Sequence, residues 1–286
     1  MNGHLQADEL LMIVAIASYV VGALALLVYF FSREEWLRNL GVPLAIVGCA
    51  AQFGQLGVRY ALTGIWPLLN LYGSLSLFAA MSVFIFLLMA WRYKAWYAGG
   101  FVLALAAIAL AYGVTWNEGT MPAVPSLQSY WAKIHVPIVV SSYAAFLVAF
   151  VFSVIYLIKY YAERRIALAG TRSGELAAWL DTLPSLPALD VTVYRAIAIG
   201  LPLISIGIIT GAAWAKEAWG AYWQWDPKET AALATWIVYL AYMHLHTRMS
   251  WRGLRTNWVS VAGFMLVIFT YLGVNIWISG LHSYKT

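Results

Sequence analysis

The sequence predicts an all-α, polytopic membrane protein with about eight transmembrane helices and both termini extracytoplasmic. Three observations lead there. The 286-residue chain is 63% hydrophobic and 10% charged, with a mean hydropathy of +0.76, whereas soluble domains run near ~45–50% apolar and ~25% charged. A window of about 19 residues marks eight apolar segments able to cross a hydrocarbon core of roughly 30 Å. The basic residues also alternate in the way that loops on two sides of a bilayer do.

The first segment, 10–31, follows Asp8 and Glu9, has no basic lead and is too apolar for too long to be a cleaved signal peptide, so it reads as a retained helix. Segments 40–60, 74–91 and 96–114 follow. An irregular outer loop at 115–135 holds Asn117, Gly119, Pro122 and Pro125. The fifth segment is 136–156. An inner loop at 162–190 contains a short helix, 173–183, closed by Pro184 and Pro187. The sixth segment is 194–213, followed by a tryptophan-rich outer loop at 214–228 and the last two segments, 229–246 and 258–278. No repeat or low-complexity run divides the chain, so residues 1–286 read as one integral-membrane domain.

With the N-terminus outside, twelve Lys and Arg fall inside and five outside, while the twelve acids divide evenly. Hydropathy and charge thus agree on an even number of spans. Cys49, the single cysteine, excludes a disulfide framework, an iron–sulfur cluster and covalent haem attachment to this chain through C-x-x-C-H. Nothing in the charge pattern suggests nucleic-acid binding.

Four of the 15 Trp, and Tyr222, lie between Trp214 and Trp225. Interfacial belts anchor helix ends with one or two aromatics at a time. A dense cluster instead suits a flat platform for a planar ligand or partner, because stiff rings supply contact area at little entropic cost. Trp219, Tyr222, Trp223 and Trp225 form its expected working face, with Gly220 allowing a turn. Asp226-Pro227-Lys228-Glu229 reads as an N-cap, N1 proline and capping-box partner for the following helix.

His135 and His282 fall at the outer ends of two different segments, level with this loop. Two imidazoles beside an aromatic platform are the ingredients of a bis-His haem pocket; alternatively each is a lone interfacial histidine. His244 and His246 lie at the opposite end of the segment the loop feeds, about 30 Å of helix from Asp226. Residues two apart point to different sides of a helix, so at most one of this pair faces a given ligand. Taken alone, the residues leave open a haem-delivery protein, a b-type membrane cytochrome in quinone-linked electron transfer, and a transporter of another aromatic compound.

At these positions the chain resembles the CcsA/ResC family of cytochrome c assembly proteins, the membrane half of System II. Residues 219–230, Trp-Gly-Ala-Tyr-Trp-Gln-Trp-Asp-Pro-Lys-Glu-Thr, are similar to that family's WWD haem-handling motif, shared more distantly by CcmC and CcmF proteins. Further matches are Leu127 to His135, Leu189-Asp190 with Tyr194-Arg195, Leu245 to Arg248, and Gly280 to Tyr284, with a weaker one at Pro67 to Tyr72. Two departures are Gly73, where the family usually has Glu, and Ile65, where a His is common.

The resemblance implies that His135 and His282 are axial ligands of haem b held outside beneath the loop formed by Trp219, Tyr222, Trp223, Trp225 and Asp226. It implies that His246, rather than His244, ligates haem on the inner side with a second ligand from a CcsB/ResB-type subunit. It further implies transport of haem outward and its presentation to an apocytochrome c C-x-x-C-H segment, as the haem-handling subunit of a haem lyase in a bacterial cytoplasmic or thylakoid-type membrane. Arg59, Lys133 and Lys216 are on the side where the propionates would lie.

Overall fold

The computed structural model describes residues 5–117, 125–169 and 174–274. Among them all regular structure is helical: α1 (Leu5–Ser32), α2 (Glu35–Thr63), α3 (Leu71–Tyr93), α4 (Gly99–Val114), α5 (Tyr130–Ala169), α6 (Glu175–Thr182), α7 (Leu186–Trp219), α8 (Pro227–Arg248) and α9 (Leu254–Ile268). The last continues into a π-helical turn, Phe269–Gly273. Inner and outer below follow the charge-based orientation.

Among the described residues seven helices are long and apolar enough to cross a membrane. α8, at 22 residues, has the length, ~33 Å at 1.5 Å per residue. It falls short in hydropathy because its inward face carries Thr235, Tyr239, Tyr242 and His246. Its other side exposes apolar residues, Ile237 and Leu240 among them.

α3 is apolar on every side and is buried accordingly, with α2 and α4 against one flank and α5 against another. One core joins α1, α2, α4 and part of α3; a second joins α3, α5, α7, α8 and α9. The first is tied at its outer end by a buried ion pair, Arg59 Nη1 to Asp8 Oδ2 at 2.9 Å. Gln55 also bonds Asp8, Asn117 accepts from Arg59 at 3.1 Å, and the guanidinium lies 4.6 Å from the Tyr72 ring centre. Arg59 therefore clasps three helices and a loop.

The stretches between segments at 162–190 and 214–228 hold more helix than hydropathy marks, and the short helix expected at 173–183 is present as α6. α5 runs on to Ala169, α6 covers Glu175–Thr182 and α7 begins at Leu186. Hydropathy ends a span where charge begins, but helices continue wherever the charge finds a partner. Lys159, buried, donates to the carbonyls of Leu180 and Leu183 at the end of α6, at 2.8 and 3.0 Å. Likewise α7 continues to Trp219, so the irregular part of the tryptophan region is only 220–226.

Candidate functional site

At the outer end, α5 and α7 position His135. Its Nδ1 lies 2.8 Å from the Gly207 carbonyl, so Nδ1–H donates and Nε2 keeps the lone pair, the tautomer a metal ligand requires. The ring can approach α7 this closely because Gly211 is opposite: a Cβ there would meet His135 Cε1 at 2.8 Å and Nδ1 at 2.9 Å. Trp214 packs beside the imidazole, ring centres 5.6 Å apart, and Trp219 lies 5.1 Å from Trp214. His135 is thus continuous with the aromatic cluster through α7 itself.

Beyond Trp219, Gly220 takes the left-handed conformation and its N–H closes the helix on the Lys216 carbonyl. Tyr222 and Trp225 are 62% and 69% exposed, while Trp223 meets Trp225 edge to face at 5.7 Å. These two large aromatics are thus surface groups and no part of the core. The loop is rigid where it joins α8. Glu229 Oε2 accepts from the backbone N–H of Gln224 at 2.9 Å and of Asp226 at 3.2 Å, and Asp226 Oδ1 accepts from Lys228 N at 2.9 Å, completing the expected capping box. Between those two anchored amides Trp225 holds φ +57°, a conformation unusual for a residue of its bulk.

Lys228, which the sequence suggested only as a helix-start residue, lies close enough to His135 for their charges to interact. Desolvation holds its amine down to about 8, with Asp226 acting in the opposite direction. Lys216 is engaged with the loop, its Nζ donating to Gly220 O at 2.8 Å and lying 5.7 Å from the Tyr222 ring centre. His282 lies outside the described residues.

At the inner end the structure separates the two histidines of α8: His244 is exposed and His246 buried. The His246 ring is stacked between Tyr194 and Tyr242, at 4.7 and 5.8 Å. Its Nε2 lies 3.1 Å from Asp190 Oδ2. Asp190 is itself fixed, Oδ1 accepting from Gly253 N at 3.1 Å and Asn257 Nδ2 at 2.9 Å. The arrangement is that of a histidine ligand oriented by a carboxylate, with Nδ1 as the nitrogen that Asp190 leaves unengaged. Next in sequence to Tyr194, Arg195 stacks on Tyr93 at 4.2 Å. The spacing of Asp190 to Tyr194 and of Tyr242 to His246, four residues each, was the available sign that these pairs share helix faces.

Gly73, one of the departures noted above, has a local cause. A Cβ there would lie 1.6 Å from the Pro67 carbonyl oxygen, so the turn before α3, capped by Asn70 Oδ1 on Gly73 N at 2.8 Å, admits no side chain.

The family model for cytochrome c assembly proteins matches residues 68–282. The CcsA cytochrome c biogenesis protein of Heterosigma akashiwo is 33% identical, covering 91% of each chain. That of Guillardia theta is 32% identical over 96% of this chain and 93% of its own, and that of Picosynechococcus sp. 33% over 93% and 95%. Among solved structures, the cytochrome c haem lyase CcmF superposes with a TM-score of 0.67 at 18% identity, over 95% of this chain and 47% of that one. This likeness is one of fold, and the chain spans about half the length of that neighbour. The chain belongs to the cytochrome c assembly protein family.

Proposed function

We propose that this protein moves haem b to the outer side of a bacterial cytoplasmic or thylakoid-type membrane and presents it for covalent attachment to apocytochrome c. The observation that carries the reading is His135. Its Nδ1 is committed to the Gly207 carbonyl and its ring is braced by Trp214, which leaves an oriented Nε2 beside the exposed Trp219–Trp225 surface. In this reading all eight segments, α8 included, cross the bilayer as one domain with both termini outside, and His135 and His282 ligate the outer haem.

Trp219, Tyr222, Trp223 and Trp225 cover the porphyrin plane, while Asp226 and Glu229 hold the loop in shape. Lys228, beside His135, meets a propionate. On the inner side His246, oriented by Asp190, receives haem together with a ligand from a CcsB/ResB-type partner. The outer face of α7, where Ile206 and Ile209 are exposed, is apolar enough for lipid or a membrane partner. The chain's part in attachment is positioning: the ring is oriented, a vinyl edge is left open, and the incoming Cys thiols of the C-x-x-C-H segment add across the vinyl bonds.

An absorption spectrum of protein purified with its partner tests haem binding. A Soret band is expected, diminished by His135→Ala and His282→Ala. A strain lacking the protein should lose covalently attached cytochromes c and keep its b-type cytochromes. Retention of c-type cytochromes in that strain would refute the assembly role.

A further inference from the structure

An arginine on the lipid-facing side of a spanning helix has few anions within reach other than those the membrane supplies. Two such arginines meet at the inner end of the bundle. On α7 the exposed residues Val191, Arg195 and Ile199 fall four apart, one stripe that is apolar except for Arg195. On α3 the exposed residues Phe84, Leu88 and Arg92 repeat that spacing, with Trp91 exposed beside them. Arg195 and Trp214 are separated by ~29 Å of helix, close to one hydrocarbon thickness. With Trp214 at the outer boundary, Arg195 is therefore at the inner one.

Both guanidinium groups close on the same ring. Arg195 Cζ is 4.2 Å and Arg92 Cζ 5.4 Å from the centre of Tyr93, which puts the two charges within about 10 Å of each other, near one Debye length. A tyrosine face attracts an exposed cation by only about 0.5–1 kcal/mol and neutralises nothing. No acidic residue occurs in 84–101 or 191–216. Among the described residues neither arginine enters an ion pair: Glu163 pairs with Lys159, Asp190 with His246 and Glu35 with Arg38.

We propose that Arg92 and Arg195, spaced by Tyr93, clamp the phosphate of an anionic lipid whose acyl chains run along the apolar stripes above them. A guanidinium fork bonds phosphate oxygens in pairs. Leu88 and Ile199 are each one helical turn deeper in the membrane than their arginine, where the chains of that lipid begin, and Trp91 is at the depth at which indole rings settle among headgroups. A single arginine can extend along its stem to water. Two braced on one ring, each beneath exposed apolar residues, form a seat for one phosphodiester. The inference rests on α3 and α7 crossing the membrane and is independent of haem.

Native mass spectrometry of the full-length protein, released from mixed micelles containing equal amounts of phosphatidylglycerol and phosphatidylcholine, tests the seat. The parent should retain one phosphatidylglycerol with at least a fivefold preference, and equal retention of the two lipids would overturn the proposal. Arg92→Gln/Arg195→Gln should cut that preference at least threefold. Arg164→Gln/Arg165→Gln, which removes the same charge from exposed positions on α5, should leave it unchanged; an equal loss in both variants would refute the clamp in favour of general attraction to basic surface. Excess inorganic phosphate should not displace the lipid, and displacement would assign the seat to a free phosphate ion and refute a lipid.

Discussion

Replacing Asp190 by alanine withdraws one carboxylate from several donors at once, and the structure says which of them suffer. Asn257 Nδ2 and Thr256 Oγ1 retain a second acceptor, the Gly253 carbonyl, at 2.8 and 3.1 Å. His246 Nε2 and Gly253 N lose the acceptors they have at 3.1 Å each. Orphaning a buried donor costs about 1–3 kcal/mol, so leaving the His246 and Gly253 donors without their acceptor means that Asp190→Ala should destabilise the fold by roughly 2–6 kcal/mol, or about 4–24 °C in unfolding temperature for a chain of this size.

Cys49 is the chain's single cysteine and is buried, so a thiol-reactive fluorogenic dye reports unfolding directly. Exposed Glu34→Ala is the control and should change stability by no more than about 0.5 kcal/mol. Asp190→Asn, which keeps the shape and loses the charge, should fall between the two. An Asp190→Ala variant melting within about 2 °C of the parent would refute the reasoning, because the four contacts would then contribute nothing net.

Gly211→Ala drives a methyl group into His135, overpacking worth about 1–3 kcal/mol; the ring should leave Gly207 and the outer haem band should be lost from a protein that still inserts. Glu229→Ala releases the Gln224 and Asp226 amides, costs about 0.5–2 kcal/mol, and should speed proteolysis within 220–226 without touching the inner histidine. Lys228 has a folded-state pKa below its unfolded value, so the unfolded chain binds more protons between about 8 and the ordinary lysine range near ~10.4. Its contribution to stability therefore rises with pH across that window, while retention of outer haem falls as its charge is lost; Lys228→Arg should flatten both profiles.

The seven apolar spans among the described residues were legible because lipid demands continuous apolar runs, and the capping box because Asp226, Pro227 and Glu229 stood at fixed offsets. Segment ends were less legible. Lys159 and Asp190 look like loop residues to a hydropathy window, yet each lies on a helix, because each finds partners that a window does not see. The outer site was half visible: spacing placed His135 near the tryptophans, but the glycines that let its ring lie against α7 were read only as apolar segment. The inner site was less so. Residues 190 and 246 are joined by packing among α7, α8 and α9, and nothing local to either announces the other.

One helix carries both ends of this chemistry. The first turn of α8 fixes the shape of the tryptophan loop through Asp226 and Glu229, and its last turns carry His246, with an unbroken hydrogen-bonded rod between them. A rod cannot tilt at one end alone. If it pivots about its middle, the outer platform and the inner imidazole swing in opposite senses by comparable amounts. Whatever grips His246, Asp190 included, therefore bears on the pitch of a tryptophan surface about 30 Å away, through a single 22-residue strut.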